Sequence, residues 1–250
     1  MTPDQVKRYS RHLVLKEIGG PGQQALLDAS VAIVGAGGLG GPAALYLAAA
    51  GIGQITIIDD GVVDLSNLQR QIQFNTSAID QDKTTAMGQA LKGINPDIEI
   101  TSKKKRLNKG NAKKLLENHD IILDGTDSFE TRFAVNQAAL ELKIPLVSGA
   151  LGKFDGQVSA FRSDGSGPCY RCLVPTIPPN AETCAEVGVV GALAGIVGSM
   201  MALETIKIIT GAGKQLFDRL WIYDGLTSQS RTVKLSKDPD CEACSNEDRH

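Results

Sequence analysis

The residues in this chain best placed to do chemistry begin with Gly35-Ala36-Gly37-Gly38-Leu39-Gly40, a G-x-G-x-x-G spacing that follows an apolar run and opens a helical pattern. Glycines there let the backbone turn sharply and bring its N–H groups to a phosphate, whose charge the helix N-terminus complements. Asp59 closes the next apolar run about twenty residues further on, where a carboxylate can accept hydrogen bonds from ribose hydroxyls. The pattern predicts a nucleotide site. Alone, it leaves a dinucleotide such as NAD and a mononucleotide such as ATP both open.

Charged residues at successive strand ends separate the two. Arg70 lies just beyond the acidic strand end, in Asp64-Leu65-Ser66-Asn67-Leu68-Gln69-Arg70-Gln71, and Lys83 opens a helix in Asp80-Gln81-Asp82-Lys83-Thr84. Asp127, in Asp124-Gly125-Thr126-Asp127, falls at the end of another strand. A nicotinamide enzyme holds a diphosphate that does not react and has little need of several cations beside it. Adenylyl transfer does need them, with magnesium, to stabilise charge moving onto departing diphosphate as a carboxylate attacks the α-phosphorus. Arg70 and Lys83 supply the cations, and Asp127 supplies a carboxylate for the metal. An NAD-linked oxidoreductase explains the glycines and Asp59 but leaves Arg70 and Lys83 without a purpose. A non-catalytic module that kept the fold has no use for the charged set. The attacking carboxylate is already ionised at neutral pH, so no general base is required. His12, His119 and His250 accordingly share no spacing that suggests a metal cluster or a nucleophile and its base.

Four of the five cysteines form two C-x-x-C pairs, Cys169 with Cys172 and Cys241 with Cys244. Four thiolates suit tetrahedral zinc at about 2.3 Å with no open coordination position, a structural staple between the loop after the central sheet and the C-terminal segment. Two independent redox pairs or an iron-sulfur cluster are the competing readings. Cys184 stands apart, ahead of a long helix.

The frame that must position these residues is legible as an alternation. Val31 to Val34, Ile55 to Ile58, Ile98 to Thr101, Ile121 to Leu123 and Leu146 to Ser148 read as strands. Leu39 to Ala50, Lys83 to Gly93, Asn111 to Asn118 and Phe129 to Leu142 read as helices. The alternation predicts an α/β fold with a Rossmann-like, mostly parallel sheet covered by helices on both faces. Strands at Gln157 to Arg162, Leu220 to Tyr223 and Thr232 to Leu235 extend it in antiparallel fashion, with a long helix from about Val190 to Thr210 between them. Thr2 and Pro3 predict a helix through Tyr9 and Leu13 to about Ile18, ended by Gly19-Gly20-Pro21-Gly22. No internal repeat or low-complexity linker interrupts the 250 residues, so a single domain is expected.

Composition excludes some partners. With 26 Lys plus Arg against 28 Asp plus Glu, neither nucleic acid nor an anionic membrane is expected. The run Lys103-Lys104-Lys105-Arg106 reads as a solvated strand end and loop, since nothing aromatic or glycine-rich accompanies it. Met1 leads at once into charged residues rather than an apolar signal core, which points to a cytoplasmic protein. Two uncharged stretches approach the ~17–25 residues of a membrane span. Val31 to Asp59 is broken by glycines and Pro42. Val187 to Leu203 is flanked by Glu186 and Glu204 and fits a helix packed all round by protein.

Taken together, the motifs resemble the MoeB/ThiF group of adenylyltransferases, bacterial relatives of the ubiquitin-activating enzymes, over nearly the whole chain. The resemblance rests on Arg8-Tyr9-Ser10-Arg11-His12, Gly35 to Gly40, Asp64 to Gln71, Lys83, Asp124 to Asp127 with Thr131-Arg132, and both cysteine pairs. It implies a homodimer in which Gly35, Gly37, Gly38, Gly40 and Asp59 hold ATP. Asn67, Arg70 and Lys83 would then lie at the phosphates, with Ser66, Leu68 and Gln69 in the same contact set, and Asp127 at Mg2+. Arg11 matches an arginine that reaches across the dimer to the partner's triphosphate. The implied substrate is the Gly-Gly tail of a ubiquitin-like sulfur carrier protein serving molybdopterin or thiamin synthesis, converted to an acyl-adenylate. The implied layout is 1–29 as N-terminal helices, 30–150 as the nucleotide-binding part and 151–250 as the carrier-binding and zinc part. Cys184 matches a thiol that some relatives use in sulfur transfer and others keep idle. The sequence ends soon after the second cysteine pair, so a separate sulfur donor protein is expected. Two departures stand out: Ser128 replaces the family's asparagine after Thr-Asp, and Asp80-Gln81-Asp82 replaces a glycine before Lys83.

Overall fold

A computed structural model describes residues 1–178 and 188–245. Strands β1 (Ser30–Val34), β2 (Gln54–Asp59), β3 (Glu99–Lys104), β4 (Ile121–Asp124), β5 (Leu146–Leu151), β6 (Asp155–Phe161), β7 (Arg219–Asp224) and β8 (Gln229–Lys234) form one sheet. Their spatial order is β3-β2-β1-β4-β5-β6-β7-β8. The first five are parallel and the last three antiparallel, as the alternation of elements predicts.

Every residue of β1 from Val31 to Val34 is buried, because helices cover both faces of the sheet at its centre. Side chains alternate between two cores. Val31 and Ile33 join α4 (Gly40–Ala50), α5 (Lys83–Ile94) and α9 (Gly191–Thr210) on one face. Ala32 and Val34 join α6 (Ala112–Leu116) and α7 (Phe129–Leu142) on the other.

The N-terminal segment departs from the sequence reading. Helix α1 (Pro3–Arg8) stops at Tyr9, and a short α2 (Ser10–Leu13) follows. Tyr9 is buried, its hydroxyl accepting a hydrogen bond from Asn95 Nδ2 at 2.9 Å, and this inward anchor breaks the helix. Gly19-Gly20-Pro21-Gly22 is not a terminator but the first turn of α3 (Gly19–Asp28). A first helical turn has no intrahelical partner for its N–H groups, so Pro21 is tolerated there.

Helix α9 is not packed all round. Leu193, Ala194, Val197 and Met201 are buried, whereas Ile196 and Leu203, seven residues apart and hence on the same side, are 42% and 50% exposed. Its length and mean hydropathy of 1.6 would suit a bilayer. Glu204 tells against that use: fully buried, it accepts hydrogen bonds from the Leu216 N–H at 2.7 Å and from Lys207 Nζ.

Candidate functional site

Strand order reverses between β1 and β4, and ligands of open α/β sheets bind outside the carboxyl ends of the strands at such a point. A cleft of about 390 Å³ lies there. Gly35, Gly37 and Gly38 line it from the exit of β1, Asp59 from β2, Asp127 from beyond β4, and Arg70 and Lys83 from the intervening segment. The residues singled out on separate strand ends therefore meet in one place.

The glycine loop is close-packed, not merely free to turn. Gly35 has φ +93°, and a β-carbon at Gly40 would stand 1.8 Å from the Gly35 carbonyl oxygen. Gly40→Ala is expected to cost at least about 3 kcal/mol, a drop of roughly 6–12 °C in Tm for a domain of this size, because only backbone could move aside. Thermal unfolding checks it; a parental Tm would mean that the loop is looser than its geometry. Asp59 braces the same loop, accepting from the Ala36 N–H through Oδ2 and from the Gly61 N–H through Oδ1, both at 2.7 Å. Gln73 holds it from below, its Nε2 donating to the carbonyls of Ala36 at 2.9 Å and Gly37 at 3.2 Å.

Arg70 packs over the loop, with a β-carbon at Gly38 only 3.5 Å from its Cγ. Its Nη1 donates to the Ser66 carbonyl at 3.1 Å. Lys83, first residue of α5, anchors its N–H on the Gly61 carbonyl at 3.0 Å. Gly40, Ser66, Asn67, Leu68 and Gln69 do not line the cleft. Ser66 and Asn67 build the turn that presents Arg70, the Ser66 N–H and hydroxyl donating to Asp64 Oδ1 at 2.7 and 2.5 Å. Leu68 packs on the core and Gln69 lies against Gly191. Arg11 is exposed on α2, outside the cleft of its own chain. Cys184 lies outside the described residues.

Sequence reasoning missed several cleft residues. Lys105 and Arg106 are exposed, as read, yet both line the cleft, and Arg106 Nη1 lies 3.9 Å from Asp60 Oδ2. The missed signal was their place just past the end of β3, a parallel strand whose exit faces the same crevice. Gln71 and Arg132 also line it, both buried. Burial works against the charge of Arg132, but Asp124, Tyr170 and Asp127 together outweigh it and hold the guanidinium above its ordinary pKa. Both departures from the family pattern have local explanations. Ser128 caps α7, its hydroxyl accepting from the Thr131 N–H at 3.4 Å, a task asparagine performs equally well. Asp80 takes φ +68°, the left-handed conformation that glycine adopts without strain.

The four paired cysteines converge. Their sulfur atoms all lie within 4.8 Å of one another, with Cys172 to Cys244 at 3.5 Å, Cys169 to Cys241 at 3.7 Å and Cys169 to Cys172 at 4.0 Å. A tetrahedron with metal–sulfur bonds of about 2.3 Å has edges of about 3.8 Å, so the donor set fits a tetrahedral metal. Burial, then the neighbouring Cys172, pushes the Cys169 thiol up to about 11, and burial pushes Cys244 up too. Cys241 is instead lowered, because its burial is outweighed by hydrogen bonds from the N–H groups of Ala243 and Cys244 together with those of the Cys169 and Cys244 side chains. A divalent cation would relieve the crowding of four thiolates.

The chain is similar to known proteins. Residues 9–243 match the model of the ThiF family. The sulfur carrier protein adenylyltransferase of Thermus thermophilus is 40% identical over 98% of this chain and 93% of its own length. The adenylyltransferase and sulfurtransferase MOCS3 of Anopheles gambiae is 45% identical over 97% of this chain, which spans only 55% of that protein. Among solved structures, E. coli MccB with ATP superposes with a TM-score of 0.84 at 22% identity, over 96% of this chain and 75% of MccB. With the glycine loop, the strand-end charges and three of the four clustered cysteines within the matched residues, the chain belongs to the ThiF family.

Proposed function

We propose that the protein is an ATP-dependent adenylyltransferase acting on the C-terminal Gly-Gly carboxylate of a ubiquitin-like sulfur carrier protein, in molybdopterin or thiamin synthesis in the cytoplasm. The observation that carries this reading is the convergence of Gly37, Asp59, Arg70, Lys83 and Asp127 on one cleft at the switch point of the sheet. Loop N–H groups hold phosphate, and Asp59 accepts from the ribose. A carboxylate oxygen of the carrier bonds to the α-phosphorus as the bond from that phosphorus to the departing diphosphate breaks. Arg70 and Lys83 stabilise the negative charge gathering on the diphosphate, with Lys105 and Arg106 extending the positive wall. Asp127 would hold Mg2+, which supplies further charge compensation at the phosphates. Cys169, Cys172, Cys241 and Cys244 would hold a structural Zn2+. Residues 30–150 form the nucleotide-binding part, and 151–250 the carrier and zinc part. The active form is a homodimer in which Arg11 serves the partner's cleft; the exposed apolar side chains Ile196, Leu203 and Tyr46 support such an interface.

Exchange of labelled diphosphate into ATP tests the reaction. Exchange is expected only when Mg2+ and a Gly-Gly-ended carrier are both present, and Asp127→Ala is expected to reduce it at least about 100-fold. Exchange that ignores the carrier, or that survives in Asp127→Ala, would overturn the assignment.

A further inference from the structure

A buried arginine is costly unless its guanidinium is hydrogen-bonded, and Arg132, 5% exposed near the start of α7, makes such bonds to two strand exits at once. Its Nη2 donates to the Thr126 carbonyl beyond β4 and to the Gly149 carbonyl of β5, the latter at 2.8 Å. Its Nη1 reaches Ser148 Oγ at 3.3 Å. Thr126 is also gripped from the other side, its N–H and hydroxyl donating to Oδ1 of buried Asp124 at 3.0 and 2.7 Å. The Thr126 carbonyl and the Asp127 N–H belong to one planar peptide unit. Fixing that carbonyl therefore fixes the backbone of Asp127, which lines the cleft.

The guanidinium is braced in turn. Its carbon lies 5.8 Å from the centroid of the Tyr170 ring. Tyr170 directly follows Cys169, and its N–H donates to Asn136 Oδ1 at 2.9 Å while Asn136 Nδ2 faces Cys169 Sγ at 3.7 Å. Asn136 sits one helical turn after Arg132, so α7 presents one residue to the cysteine cluster and another to the cleft.

We infer that Arg132 is a positioning residue that seats Asp127 at the nucleotide phosphates, with Tyr170 bracing it from the cysteine side. The inference rests on the proposed role of Asp127. An arginine is required because its planar fork serves several acceptors at fixed angles, whereas a lysine ammonium is a compact charge that cannot span them.

Arg132→Lys, Tyr170→Leu and Asp127→Asn test it, each scored for zinc content, for ATP affinity without Mg2+, and for the Mg2+ concentration giving half-maximal diphosphate exchange. Arg132→Lys is expected to keep its zinc and its Mg2+-free ATP affinity within about threefold of the parent, while the Mg2+ midpoint rises at least about tenfold, since small misplacement of a positioned group costs up to about 100-fold. Tyr170→Leu is expected to shift the midpoint in the same direction by less. A parental Mg2+ midpoint in Arg132→Lys overturns the inference. Should that variant not fold, a parental midpoint in Tyr170→Leu overturns it equally. Asp127→Asn separates the two levels of argument: if its own Mg2+ dependence is parental, the reading of Asp127 fails rather than the positioning by Arg132.

Discussion

Lys83→Ala is expected to lower kcat/KM for carrier adenylation by about 10²–10³-fold, roughly 2.7–4 kcal/mol of transition-state stabilisation, with little change in Tm. The size follows from how the ammonium is delivered. Lys83 is the first residue of α5, its N–H is held by the Gly61 carbonyl at 3.0 Å, and its stem packs 3.4 Å from where a Gly61 β-carbon would stand. Its charge is thus aimed by a rigid helix start and not by a mobile loop, so little reorganisation is needed as charge develops. Stability should hardly move, because alanine is at least as good a helix former as lysine and the side chain fills no core space. Arg70→Ala is expected to be comparably damaging, and the double variant less than additive, since both cations answer the same developing charge. Steady-state kinetics at saturating carrier decides the matter. A Lys83→Ala enzyme within threefold of the parent would remove Lys83 from the phosphate site.

The parts of the molecule that sequence reveals are those governed by short-range rules. Strand and helix alternation gave the parallel core because β1, β2, β4 and β5 are largely buried apolar runs, and Phe129–Leu142 is helical from a serine cap to a left-handed Lys143. Strand exits gave Gly35, Asp59 and Asp127, since a parallel sheet places all its carboxyl ends on one edge. What stayed hidden depends on contacts between distant segments. Nothing local marks Tyr9 as a helix breaker, because its partner Asn95 lies 86 residues away. Lys105 and Arg106 read as solvated because charge runs usually are, and only the position of β3 beside β2 turns them toward the cleft. Ser66 to Gln69 illustrate the converse. A motif can be recognised as a block while its members divide the labour, Arg70 facing the cleft and its neighbours shaping the turn beneath it. The cysteines were legible by spacing, and their convergence across 72 residues of chain is a property of the fold alone.

Removing the metal is expected to lower Tm by about 10–20 °C, the equivalent of some 5 kcal/mol for a domain of this size. The cluster joins two segments that have few other means of staying together. Cys169 is the N-cap of α8 (Tyr170–Leu173) and Cys172 lies within it, whereas Cys241 and Cys244 follow the exposed edge strand β8, all six residues of which face solvent. Beneath them the apolar support is thin, chiefly Leu140 of α7 with Ala243 beside it. Without a cation the raised thiols of Cys169 and Cys244 stay protonated, and a thiol makes only weak hydrogen bonds. Chelation should therefore release the segment after β8, seen as early proteolytic cleavage there, before the central sheet unfolds. Cys244→Ser should reproduce the effect, since a hydroxyl replaces a thiolate ligand. The competing picture of two redox pairs makes the opposite forecast. Under it a chelator changes Tm by less than about 2 °C, while mild oxidation to disulfides within each C-x-x-C pair shifts it instead. Thermal unfolding with a chelator separates a metal staple from redox pairs, because only the staple loses its cross-link when the cation is withdrawn.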